Sequence, residues 1–538
     1  MKKPNSTQPQ KPAGPGVFSI LGPYKRMIIL LVVFALATNV LNLLIPKIIA
    51  KSIDAYTAGT LVVSAMVWKF SIATALIFIF LYLQSVVQTY ASEKVAKDTR
   101  TKLAEKISRL RYVDVDTIGS SKLLTTLTSD IDSIKMFVSM AIVSIVSSIA
   151  IIIGASVLLL SINWRLALVV LAIIPIIGIT FAFIFSKVKV LFVKTREVVD
   201  KLNKVINESI LGAAIIRVVN AQDEQYRKFL GVNTEARSVG LSILALFAAL
   251  IPIITFVAGL GTLAIVTLGG HFVINGSMTL GDFTAFYSYV AMLIFPIIII
   301  GFMSNVIAQA SASYGRLQGV LNTPEVPPLG TDTSDIQGDI TLKNVTMIYG
   351  ERSALKEVSF SLQAGTKTAI IGPTAAGKSQ LLYTLTGLVT PTSGTILYDG
   401  KSIESYDVDS FHNQVALVFQ DSSMFNMSIR ENIAFNATVT EESLARAIQT
   451  AELTDFIATL PQGLDTIVSE RGTSLSGGQK QRIMLARALA MNPKVLLLDD
   501  FTARVDTKTE TAILKNISKN YPGLTLISVT QKLAAISH

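Results

Sequence analysis

The chain has 538 residues, of which 51% are hydrophobic and only 16% charged, with no cysteine and a net charge of +10. Average soluble domains carry about 25% charged residues, so a mean hydropathy of +0.54 excludes an ordinary cytosolic enzyme as the whole molecule. The missing cysteines exclude a disulfide framework, a thiol nucleophile and thiolate metal sites. Three histidines (His271, His412 and His538) argue against a multi-histidine metal centre.

Charge is unevenly placed. Residues 1–320 hold 29 Lys and Arg against 15 Asp and Glu, whereas residues 321–538 hold 18 against 22. The basic excess of +14 lies wholly in the hydrophobic part, which reads as membrane topology and not as a nucleic-acid footprint.

From the N-terminus, Met1–Gly16 is a polar tail, and Val17–Tyr24 is expected to form a short interfacial helix before the first span. Crossing a hydrocarbon core of roughly 30 Å takes about 20 apolar residues. Six windows qualify, near residues 27–50, 62–90, 138–161, 165–187, 240–268 and 281–310. Lys2, Lys3, Lys11, Lys25 and Arg26 precede the first, nine Lys and Arg occupy residues 91–137, and ten occupy residues 187–238. The stretches 52–61 and 269–280 carry none. Positive residues stay inside, so both termini and the two long segments are expected in the cytoplasm of a multi-pass protein of the cell membrane.

Residues 91–100 continue the second window without proline or glycine. A helix from about residue 64 to 110 would be about 70 Å long and would project far beyond the bilayer. Gly119 and Gly212 interrupt the two cytoplasmic excursions, where either a short transverse segment or a simple hairpin would fit. Asn39, Asn42, Gln84, Gln88, Asn305 and Gln309 are polar residues within or near spans, suited to substrate contact or to interhelical hydrogen bonds. Pro175, Pro252 and Pro296 fall at positions where they could kink spans.

Residues 321–338 have linker composition, rich in Pro, Gly, Thr and Asp. Beyond them β-branched runs alternate with helical stretches, the pattern of an α/β domain. Thr366–Ile371 reads as a strand, and Gly372-Pro-Thr374-Ala375-Ala376-Gly377-Lys378-Ser379 matches GxxxxGK[ST], followed at Gln380 by a helix. Backbone N–H groups of such a loop cradle phosphates, Lys378 neutralises them, and Ser379 can ligate Mg²⁺. Val495–Leu498 reads as a buried strand that delivers the Asp499 carboxylate, the expected second Mg²⁺ partner of a P-loop site after Ser379. Leu475-Ser476-Gly477-Gly478-Gln479 is a glycine-rich helix start, a second place where an anion could dock.

Six spans, a linker, a P-loop, LSGGQ and LLLDD in that order resemble half-transporters of the ATP-binding cassette (ABC) exporter type, along nearly the whole chain. The resemblance implies a fold of six transmembrane helices with long cytoplasmic extensions (27–320) and an α/β P-loop domain of the ABC type (339–538), with ATP and Mg²⁺ as ligands. It places Tyr349 against adenine, and Gln420 at the Mg²⁺ and the membrane helices. Ser476, Gly478 and Gln479, with Gly477 between them, fall on the γ-phosphate. Asp506 matches the D-loop aspartate. Glu470-Arg471-Gly472 and residues 112–121 and 209–217 match segments that couple the cassette to the membrane part.

Several positions depart from the family pattern. Asp500 stands where hydrolytic members have the glutamate that polarises water, and Gln531 where they have the switch histidine. Ala375 replaces a usual glycine, Gln380 a usual Ser or Thr, and Arg504 is unusual in the D-loop. The P-loop side is thereby impaired while the signature is intact. The chain resembles the degenerate-site subunit of bacterial heterodimeric ABC exporters, whose partner is a second, non-identical half-transporter with intact glutamate and histidine. The cargo expected is an amphipathic or lipophilic small molecule, and no nucleic acid is implied. A slow homodimeric exporter and a nucleotide-gated channel or regulatory subunit stand as alternatives. Family members continue beyond the H-loop position with further strand and helix, so the stated sequence is expected to be C-terminally shortened.

Overall fold

The computed structural model describes residues 16–325, 330–349, 352–421, 423–469, 472 and 474–530. Contacts divide the chain into two compact units. The first takes residues up to Ser108 and from Ser121 to Asn322, and the second takes Arg109–Ser120 together with Thr323–His538.

Among the described residues of the first unit, six helices are long and apolar enough to cross a membrane: Val17–Thr57, Val63–Ser108, Ser120–Ile162, Trp164–Leu211, Gln222–Ile274 and Leu280–Leu321. The second has 46 residues, about 69 Å at the rise of an α-helix, so its polar C-terminal half lies beyond any bilayer that holds its apolar half. Val17–Tyr24 opens the first as a 3₁₀ helix. The fourth is broken between Leu171 and Ile173. The cause is Pro175, whose ring lacks an N–H and clashes with the carbonyl four residues back, that of Leu171. Pro252 and Pro296, in contrast, sit inside continuous helix.

Most Ser and Thr hydroxyls of this unit bond a carbonyl one turn back on their own helix, such as Thr38 to Phe34, and a smaller set of polar side chains bonds between helices. Gln88 donates to the Ser139 carbonyl and Gln309 to the Ser133 hydroxyl at 3.3 Å. Asn39 and Gln84 are buried, and the Asn39 amide nitrogen has no hydrogen-bond partner. The Asp54 carboxylate, near the end of the first span, accepts from the Gly281 N–H (2.8 Å) and the Thr279 hydroxyl (2.9 Å) at the start of the sixth. The third helix widens to π geometry at Thr126–Asp130. There the buried Asp130 accepts from Ser313 and from both Arg316 Nε and Nη2 on the sixth. A buried carboxylate is tolerated only when paired in this way.

Among the described residues of the second unit there are two sheets. β1 (Ile340–Tyr349), β2 (Arg352–Leu362), β4 (Ser393–Tyr398) and β5 (Lys401–Ser402) form an antiparallel sheet in the order β2-β1-β4-β5. β3 (Lys367–Ile371), β6 (Val415–Val418), β7 (Val495–Asp499) and β8 (Thr525–Thr530) form a parallel sheet in the order β3-β8-β7-β6. Parallel strands are covered on both faces and therefore read as unbroken apolar runs. Val495–Leu498 is such a run, each residue 1% exposed or less. The residues from 109 to 120 belong with this sheet pair. Leu110 is buried and bridges Glu325, Val113 packs on the core beneath β1 and β4, and the Tyr112 ring meets Tyr383 edge-on at 5.9 Å.

Candidate nucleotide site

β3 and β7 are separated by β8 alone, and their C-terminal ends lie side by side with it: Ile371 pairs Thr530 and Asp499 pairs Val529. Ligands of open parallel sheets bind at the carboxyl ends of strands, and a cavity of about 290 Å³ opens there. Thr374, Ala375, Ala376, Gly377, Lys378, Ser379 and Gln380 line one side of it, and Gln420, Asp499 and Asp500 the other. Gly372 lies just before, and its carbonyl and that of Pro373 accept from the Lys378 ammonium at 2.8 and 2.7 Å.

The loop is held by backbone geometry. Gly377 has φ +84°, and a Cβ there would meet the Ala354 carbonyl at 2.2 Å. It precedes the helix Lys378–Leu385, whose first turn has no side-chain cap and no acidic residue. Free N–H groups at that end would present the favourable end of the helix dipole to an anion. Ala375 also has positive φ, +66°, a conformation that glycine adopts without the Cβ penalty.

Asp499 is 1% exposed. Its Oδ1 accepts from the Ser379 hydroxyl at 3.0 Å, and its Oδ2 has no hydrogen-bond partner. Burial first, and then the neighbouring Asp500 carboxylate, push its pKa up, against the pull of the Ser379 hydrogen bond and of Lys378. An orphaned, buried carboxylate oxygen beside a hydroxyl is a donor set suited to a hard cation such as Mg²⁺. Asp500 follows in a left-handed conformation, φ +46°, with its N–H bonded to the Val529 carbonyl.

Tyr349, the last residue of β1, donates its hydroxyl to Gln380 Oε1 at 2.8 Å. The sequence marks each of these residues singly and gives no sign that they meet. Ser476, Gly477, Gly478 and Gln479 lie apart from the cavity, at the start of the helix Gly477–Ala490. Ser476 and Gln479 form a reciprocal cap: the Ser476 N–H donates to Gln479 Oε1 (2.8 Å) and the Gln479 N–H to Ser476 Oγ (3.3 Å). Arg504 backs this turn, with its carbonyl 2.9 Å from where a Cβ on Gly478 would stand. Asp506 caps the helix Thr507–Asn520 through the Thr509 N–H. Gln531, Glu470 and Arg471 lie outside the described residues.

A phosphate-ready loop at the carboxyl edge of a parallel sheet, joined in one chain to six apolar spans, defines a membrane protein with a P-loop ATPase cassette. The comparisons carry this further. Residues 28–297 match the family model of the ABC transporter transmembrane region, and residues 355–503 that of the ABC transporter cassette. The chain is 32% identical over 449 residues to an uncharacterized ABC transporter ATP-binding protein, YknU of Bacillus subtilis, covering 82% of this chain and 76% of that protein. It is 28% identical to a probable multidrug resistance ABC transporter ATP-binding/permease protein, YheI of the same organism, covering 94% and 88%. A solved bacterial Atm1-family ABC exporter with ATP bound has the same fold, with a TM-score of 0.76 at 24% identity over 96% of this chain and 92% of that one. The chain belongs to the ABC transporter family. It is a multi-pass membrane half-transporter of the exporter type, an ATP-binding, ATP-hydrolysing translocase.

Proposed function

We propose that this chain is one half of a heterodimeric exporter in which its own P-loop retains ATP and its signature motif completes a hydrolytic site on a different partner. The observation that carries the reading is the character of the P-loop cavity wall. Asp500 occupies the position after Asp499 with a side chain one methylene shorter than glutamate, and about 1 Å of misplacement of a catalytic group costs on the order of 10²-fold in rate. The Ser476–Gln479 helix start carries no comparable defect.

Lys378, Gly377 and the first-turn N–H groups would hold the phosphates, and Ser379, Gln420 and Asp499 the Mg²⁺, with Tyr349 at the base. Bound Mg²⁺ would supply charge neutralisation of the β and γ oxygens. The partner would bring the intact glutamate and histidine. The basic segments favour a cytoplasmic location for both termini, in a bacterial plasma membrane. The scarcity of charge within the spans, and the multidrug designation of the relative YheI, favour an amphipathic or lipophilic cargo.

The test is ATP turnover by the purified chain without a partner. Slow turnover that rises about tenfold or more in Asp500→Glu supports the reading. Rapid turnover in the unaltered chain, abolished by Asp500→Asn, overturns it in favour of a self-sufficient homodimer.

A further inference from the structure

Gln380 is a departure from the family pattern whose side chain does something specific. It occupies the third position of the Lys378–Leu385 helix and lines the phosphate cavity, yet its Oε1 is taken by the hydroxyl of Tyr349, 31 residues earlier at the end of β1. A serine or threonine in its place would be too short to reach that hydroxyl. With the amide oxygen engaged, the amide NH₂ is the free end, and it has no hydrogen-bond partner among the described residues. Tyr349 is suited to the donor role. Burial, and then the charge of Asp116, raise its pKa above the ordinary phenolic value, so its proton stays on at every physiological pH.

We propose that Gln380 is a nucleotide-positioning residue that clamps the base end of the site to its phosphate end: Tyr349 fixes the amide, and the amide NH₂ donates to the bound nucleotide beside the P-loop. The proposal rests on the reading of this cavity as the chain's own ATP site. It gives a physical reason for retention there. The tyrosine ring is already in place before the nucleotide arrives, so less ordering is lost on binding, and release requires base and phosphate contacts to open together.

The experiment uses the full chain in lipid nanodiscs and measures affinity by displacement of a fluorescent ATP analogue, with inorganic tripolyphosphate as a ligand that has no base. One hydrogen bond of about 1 kcal/mol corresponds to roughly fivefold in affinity. Tyr349→Phe keeps the ring and removes only the hydroxyl; because that bond is made before nucleotide binds, only the lost preorganisation is read, and ATP is expected to weaken about threefold, with tripolyphosphate weakened less. Gln380→Leu should weaken both ligands, and the double variant should be no worse for ATP than Gln380→Leu alone. Multiplicative losses in the double variant, or an unchanged ATP affinity in Tyr349→Phe, overturn the clamp. Tyr349→Ala separates the two readings. If it weakens ATP while Tyr349→Phe does not, the clamp alone fails; if it too leaves ATP unchanged, the placement of the base on Tyr349 fails with it.

Discussion

The cassette contains two glycine-rich helix starts, and they are prepared for anions in opposite ways. The helix after the P-loop begins at Gly377 with no side-chain cap, so its N–H groups are left for a ligand. The helix after the signature begins with Ser476 and Gln479 capping one another. Orphan N–H groups at a helix start need a partner from somewhere. In the first a bound phosphate would complete the helix; in the second the protein has already done so, and under the proposed function a γ-phosphate presented by another chain would meet a finished turn. The contrast suits a loop that holds its own nucleotide and a motif that only inspects a partner's.

The largest effect is expected from Lys378→Ala, which removes the one ammonium that now bonds the Gly372 and Pro373 carbonyls. Charge-assisted bonds contribute about 1.5–3 kcal/mol each, so ATP affinity of the chain should fall on the order of 100-fold in a displacement assay. Ser476→Ala should leave that affinity within twofold. An equal loss in both variants would erase the distinction between the two helix starts.

Asp499→Asn comes next and acts with opposite signs on stability and on metal binding. The Asp499 pKa is raised in the folded state, mainly by burial, so its charge opposes folding at neutral pH. That cost disappears as pH falls through the raised pKa. The nucleotide-free Asn variant should therefore melt a few degrees higher than the unaltered chain near pH 7, and the gap should close on acidification. Stabilisation by Mg²⁺ with ATP, visible as a rise in melting temperature for the unaltered chain, should be lost. A nucleotide-free variant that melts lower would show that Asp499 is held in the fold by its Ser379 contact more than it is opposed by burial.

Ser476→Ala should cost about 1 kcal/mol of cassette stability by removing a helix cap, read as a shifted denaturation midpoint. The smallest effect is expected at Ala375. With φ +66°, Ala375→Gly should gain up to about 1 kcal/mol by relieving the left-handed strain, partly offset by the entropy of glycine in the unfolded chain. A loss there would mean that the alanine methyl is packed to advantage in the loop.

Much of this was legible in the residues. Apolar length located the spans, because a bilayer demands about 20 such residues wherever they occur. The helix from Val63 to Ser108 followed from unbroken helix formers, and GxxxxGK[ST] found the cavity wall from Thr374 to Ser379. Other features had no local signal. The π segments of the third helix lie in sequence that reads as ordinary helix. Asp130 and Arg316 stand 186 residues apart, and nothing in either neighbourhood names the other.

Sequence by itself therefore determined the partition into a basic apolar part and an acidic cassette, the span count and the phosphate loop. These are properties of short windows, fixed by transfer free energy and backbone chemistry. The resemblance marked residues 112–121 as a coupling segment, and tertiary structure showed which contacts they and the residues just before them make: Leu110 with Glu325, Val113 on the core beneath β1 and β4, and Tyr112 against Tyr383. Tertiary structure alone decided that Asp499 keeps one carboxylate oxygen buried and unpaired, and that Tyr349 reaches Gln380. Each depends on which surfaces are excluded from water together, and burial of that kind is a property of the whole fold.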